Sequence, residues 1–114
     1  MNQPESPSLD FKREPWNLTN DDGKSKFIKD VVCMANADRH ETAHILVGVD
    51  APAGRRKSIV PVTHRLDDAD LQAIVKDKVD PLPVFLYEHL KVKGQLVAVL
   101  SVPPKESRIS REGE

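Results

Sequence analysis

Three carboxylates stand where chemistry could be done: Glu5, Asp10 and Asp50. Asp50 closes the run Ala43-His44-Ile45-Leu46-Val47-Gly48-Val49-Asp50, which reads as a buried strand. A strand end is a rigid mount for a side chain at a sheet edge. Carboxylates that converge can bind Mg²⁺ or Mn²⁺ and activate water for attack on a phosphodiester. Taken singly, Glu5 and Asp10 are surface acids of a loop and a short strand. The chemistry therefore depends on their convergence, which spacing alone does not supply.

Cations form the second constellation. From Ala51 to Leu66 there are four positive side chains, Arg55, Arg56, Lys57 and Arg65, and no negative one. Basic loop tips contact phosphates; the same composition also suits a solvated loop kept polar. Lys12 and Arg13 add two cations next to Asp10.

Two other motifs have the letters without the context. His40-Glu41-Thr42-Ala43-His44 matches H-E-x-x-H. That motif holds zinc when a helix puts both imidazoles on one face, one turn apart. Here it runs from a polar connector into a strand, where residues four apart lie about 13 Å from each other. No third ligand follows, so no zinc is expected. Gly23-Lys24-Ser25 resembles the end of a P-loop, but Leu18 stands where its first glycine belongs and a polar run precedes it. An ordinary helix start is expected, with no nucleotide cofactor.

The elements that must position these groups follow from periodicity. Leu9-Asp10-Phe11-Lys12 alternates as a short strand. Phe27, Val31 and Met34, with Ile28, Val32 and Ala35, recur at helical spacing and predict a helix over 24–36. Asn20, Asp21 and Asp22 offer its N-cap. After the strand over 43–50, Ile59 to Val62 predicts a second, short one. Leu71, Ile74, Val75 and the stem of Lys78 predict a helix over 68–79, stopped by Pro81 and Pro83. Val84 to Val92 and Gln95 to Val102 read as a hairpin turning at Lys93-Gly94. The expected fold is α+β: a mixed, largely antiparallel sheet with two main helices. One domain is expected over 1–104, with 105–114 as a flexible tail.

Composition narrows the function classes. Lys and Arg total 17 against 18 Asp and Glu, a net charge of -1, which excludes binding to nucleic acid by bulk charge and requires a local patch. One cysteine, Cys33, excludes a disulfide framework. No apolar run approaches the roughly 18–20 residues of a membrane span. The polar, proline-bearing start does not read as a signal peptide, so a cytoplasmic protein is expected.

The order of these pieces resembles the Schlafen-type AlbA_2 domain, a family described as DNA-binding. Glu5-Ser6-Pro7-Ser8-Leu9-Asp10-Phe11-Lys12 is similar to its E-x(4)-[E/D]-F-K opening. Phe27 to Asn36 is similar to its helix ending in A-N, and Leu46-Val47-Gly48-Val49-Asp50 to its G-V-D strand. Asp80-Pro81, the hairpin and Val102-Pro103 complete the likeness. The resemblance implies nucleic-acid binding through Lys12, Arg13, Arg55, Arg56 and Lys57. In some relatives it also implies Mg²⁺- or Mn²⁺-dependent cleavage of structured RNA such as tRNA. The three acids of that centre correspond to Glu5, Asp10 and Asp50, which would be both catalytic and metal-holding; Asp10 stands where the family more often has Glu. The alternative is a non-catalytic regulatory or protein-interaction module of a larger protein; under either reading a homodimer or a fusion to a larger protein is expected.

Overall fold

The computed structural model describes residues 9–37, 40–54, 56–63 and 65–104. In chain order the elements are β1 (Leu9–Lys12), α1 (Asp21–Asn36), β2 (Ala43–Val47), β3 (Val49–Asp50), β4 (Ser58–Ile59), α2 (Asp68–Lys78), β5 (Leu86–Val92) and β6 (Gln95–Val102). Glu5, Arg39, Arg55 and the tail over 105–114 lie outside the described residues.

Helix α1 begins three residues before the expected Lys24 because Asn20 is the cap. Asn20 is extended, and its side chain accepts from Gly23 N at 2.8 Å. Asp21 and Asp22 then fill the first turn, where the helix dipole favours them. Gly23 is required for closeness. A Cβ there would sit 1.6 Å from the Asn17 carbonyl oxygen, so the preceding turn lies directly on the helix. That contact, not a phosphate cradle, explains the glycine of Gly23-Lys24-Ser25. The buried stripe is Phe27, Val31 and Ala35, four residues apart.

Helix α2 is capped by Asp67, which accepts from Ala69 N at 3.2 Å. Leu71 and Val75 are fully buried. Lys78 is exposed, so its stem does not join the apolar face as the spacing predicts. Among the described residues no helix is long and apolar enough to cross a membrane.

Strands β1-β2-β6-β5 form one mixed sheet in that order, with β1 parallel to β2 and the other pairs antiparallel. Strands β3 and β4 form a separate antiparallel pair. Register assigns the faces. Ile45, Val47, Ala98, Leu100, Val102 and Tyr87 face the helices and build the core with Trp16, Phe27, Val31, Leu71 and Val75. Leu46, Val99, Leu86 and Leu90 share the opposite face.

The expected continuous strand over 43–50 is broken at Gly48, which has φ +100°. A side chain there would meet the Val60 carbonyl at 3.0 Å and Val62 Cγ2 at 3.1 Å. An apolar run carries no period that marks such a break. The second short strand is Ser58–Ile59, not 59–62, because the segment after it turns aside: Val60 N donates to Gly48 O and Val62 N to Leu96 O, both at 2.8 Å. The hairpin forms as expected. Lys93 (φ 53°) and Gly94 (φ 77°) are both left-handed, the two-residue turn that matches strand twist.

The far edge of the sheet is partly covered by α2. Asp68 Oδ1 accepts from Tyr87 N at 2.9 Å, and Gln72 Nε2 donates to the Phe85 carbonyl at 2.8 Å. These side chains stand where a neighbouring strand would, which blunts an edge otherwise open to pairing.

Candidate nucleic-acid interface

Strand β1 is the other edge of the sheet, and it carries the candidate site. Its alternation sends successive side chains to opposite faces. Asp10 pairs in register with Ile45 and Lys12 with Val47, so both acid and lysine lie on the helix side. Phe11 pairs with Leu46 on the other side. Asp10 is exposed, and its Oδ1 accepts from Phe11 N at 2.8 Å.

Two lysines straddle this strand, each held by an aromatic ring. Lys12 Nζ lies 5.3 Å from the centroid of Trp16 on the helix side. Lys57 Nζ lies 5.3 Å from the centroid of Phe11 on the other. Such contacts contribute about 0.5–1 kcal/mol at exposed sites. Trp16 is itself fixed: it is buried, meets Phe27 edge-on at 4.9 Å, and its Nε1 donates to Asp30 Oδ2 at 2.8 Å. Lys57 sits in the basic loop and is half-buried, while Arg56 and Arg13 are exposed. Lys57 of the loop and Lys12 of β1 therefore lie on either side of one strand. Nothing in the spacing of residues 11 and 57 foretells the Lys57–Phe11 contact. The alternation of β1 could have told which face Phe11 takes.

Asp50 is half-buried in β3, opposite Ser58 of β4. Gly48 N donates to the Lys12 carbonyl at 2.8 Å, so the chain leading to Asp50 passes the end of β1. Asp10, by contrast, is level with Ile45, five residues earlier, or about 16 Å along a straight strand. The turn at Gly48 interrupts that straight run. Among the described residues no three His, Cys, Asp or Glu side chains form a group that could hold a metal ion. Of the H-E-x-x-H letters, His44 is in β2 rather than in a helix, and its Nδ1 lies 3.1 Å from Ser101 Oγ.

A cleft of about 390 Å³ opens at the β5 edge, lined by Arg65, Leu66, Asp67, Asp68, Tyr87, Glu88 and His89. Arg65, counted with the basic loop by sequence, thus stands at the opposite edge from Lys57. Burial pushes the Tyr87 hydroxyl up to about 12. Burial, and then the Arg65 charge, lower the pKa of His89. Neither sequence pattern nor spacing singles out this pair.

The Schlafen, AlbA_2 family model matches residues 5–113. The chain belongs to the Schlafen AlbA_2 family. Its α+β fold, with two helices and a mixed, largely antiparallel sheet, agrees with that domain. It is also similar to the crystal structure of the DIP2311 protein from Corynebacterium diphtheriae, with 27% identity and a TM-score of 0.56. The similarity covers 86% of this chain and 18% of that one, so the AlbA_2 domain here spans less than a fifth of that protein's length. No curated protein matches the chain.

Proposed function

We propose that this AlbA_2 domain binds nucleic acid along the β1 edge, with Lys12, Arg13, Arg55, Arg56 and Lys57 contacting phosphates. Family membership supports nucleic-acid binding. The observation that carries the site is the seating of Lys57 on Phe11, which draws the basic loop against β1, the strand that bears Lys12 and is followed directly by Arg13. With a net charge of -1, affinity must come from such a local cluster. The test is binding of tRNA and of duplex DNA by the wild type and by the Arg55→Ala, Arg56→Ala, Lys57→Ala triple variant. The variant should bind more weakly and with a flatter salt dependence. Unchanged binding removes the loop from the site. Absence of binding by the wild type favours the alternative, a regulatory or protein-interaction module of a larger protein.

The finer reading is divalent-metal-dependent cleavage of structured RNA. Glu5, Asp10 and Asp50 would hold Mg²⁺ or Mn²⁺, whose preference for carboxylate oxygen suits this donor set. The bound ion would supply Lewis-acid stabilisation and an activated water. What favours the reading is the Gly48–Lys12 hydrogen bond, which runs the chain to Asp50 past the cationic end of β1. Lys12 would then neutralise the phosphate beside the acids. Labelled tRNA incubated with Mn²⁺ tests it by comparing wild type with Asp50→Ala. Loss of cleavage in the variant supports the centre; equal cleavage, or none in either protein, rejects it for that substrate.

A further inference from the structure

The β5 edge is only half covered. In the two-residue hairpin Val92 and Gln95 face each other across the turn, so their backbone groups bond to each other. Alternation then turns the backbone N–H and C=O of Tyr87, His89 and Lys91 outward, away from β6. The Tyr87 N–H bond to Asp68 confirms the direction. Helix α2 reaches no further: its side chains take Phe85 O and Tyr87 N, and among the described residues no strand pairs with the outward backbone groups of His89 and Lys91. The exposed large hydrophobic residues among those described gather here too. They are Leu82, Leu86 and Leu90, at 40%, 47% and 41% exposure, all on β5 or its approach. An unpaired backbone edge beside exposed leucines is what strand addition requires.

We propose that β5 is the contact edge of a homodimer, in which two copies pair antiparallel over His89–Lys91. The strand is self-complementary in one register. With Leu90 opposite Leu90 of the second copy, His89 faces Lys91 of the other chain twice, and the four outward groups of each copy's free window find partners. This register stops short of Tyr87, so Asp68 keeps its bond. Charge selects the same register. It brings Lys93 of the second copy, at the hairpin tip, level with Tyr87, beside the cleft walled by Asp67, Asp68 and Glu88. The two-fold axis repeats this lysine-to-acid meeting on the other side. Leu90 would pack on its own copy at the centre of the interface. Because β5 and β1 are opposite edges, the joined eight-stranded sheet would present a cationic β1 edge at each end.

Sedimentation equilibrium of the full chain tests the pairing. The expected result is a species of twice 12.7 kDa at micromolar to submillimolar concentration. Lys91→Pro removes an outward N–H without touching the β6 ladder, a place where an edge strand accepts proline. It should give a monomer with an unchanged circular dichroism spectrum. Lys93→Asp should raise the dissociation constant at least about tenfold, since aspartate tolerates left-handed backbone and reverses the charge. Adding Glu88→Lys to Lys93→Asp should recover most of that loss. A wild type that stays monomeric throughout overturns the proposal. So does a dimer indifferent to both Lys91→Pro and Lys93→Asp, which would point to another surface.

Discussion

Replacing Gly48 by alanine probes the turn that carries the chain from the sheet to Asp50. Its φ of +100° is unfavourable for any side chain, by about 1–2 kcal/mol. The new methyl would also press on the Val60 carbonyl at 3.0 Å and Val62 Cγ2 at 3.1 Å. Neither neighbour can yield freely, because Val60 N is tied to Gly48 O and Val62 N to Leu96 O at 2.8 Å. Crowding of this kind adds about 1 kcal/mol or more. The total is about 2–3 kcal/mol. Gly54 is the control: it also has positive φ, +72°, but a Cβ there meets nothing within 4 Å. Gly54→Ala should lose only the backbone part, about 1–2 kcal/mol. Urea unfolding followed by Trp16 fluorescence reads both, and Gly48→Ala should lower the midpoint by roughly 1 M or more. If the two variants fall within about 0.5 kcal/mol of each other, the packed turn is not what fixes this glycine.

Three further outcomes follow from the same contacts. Tyr87 is the chain's single tyrosine, so absorbance near the ultraviolet edge reports it alone; its hydroxyl should ionise near pH 12 rather than 10, and a midpoint near 10 would contradict its burial. Since its folded pKa is raised, its contribution to stability is whole below pH 10 and is lost as pH rises towards 12. His89 works in the opposite sense: its folded pKa is lowered, so its contribution is whole above about pH 6.5 and is lost as pH falls. Between pH 7.5 and 5 the wild type should therefore lose more stability than His89→Gln; equal losses would contradict this. Asp68→Ala leaves Tyr87 N without its acceptor and should lower stability by about 1–3 kcal/mol, whereas Asp68→Asn keeps an acceptor and should lose less.

Local signals made much of this fold legible. Lys93-Gly94 foretells the hairpin because the two-residue turns that match strand twist need positive φ, which glycine takes freely, and the helical spacing of Phe27, Val31 and Met34 foretells α1. What the sequence hides is set by tertiary contact. Gly23 reads as an ordinary helix start, and its need for a glycine shows only once the Asn17 carbonyl is found beside it. Gly48 reads as one more small residue of a strand until Val60 and Val62 are found across from it. At the candidate site, residue type singled out the acids Glu5, Asp10 and Asp50 and the basic loop of Arg55, Arg56 and Lys57, and the family resemblance suggested roles for them and for Lys12 and Arg13. The rings of Trp16 and Phe11 that hold the two lysines were not legible, because each pair is made by folding: one across the sheet's helix side, the other by a loop returning from residue 57.

In the proposed function β1 and the basic loop act together on phosphates. Its most direct test is the salt dependence of tRNA binding for a Lys12→Gln, Lys57→Gln double variant. Removing two phosphate contacts should lower the slope of log affinity against log salt by about 1.4–1.8 and weaken binding at low salt. A variant with the wild-type slope and affinity would contradict the account.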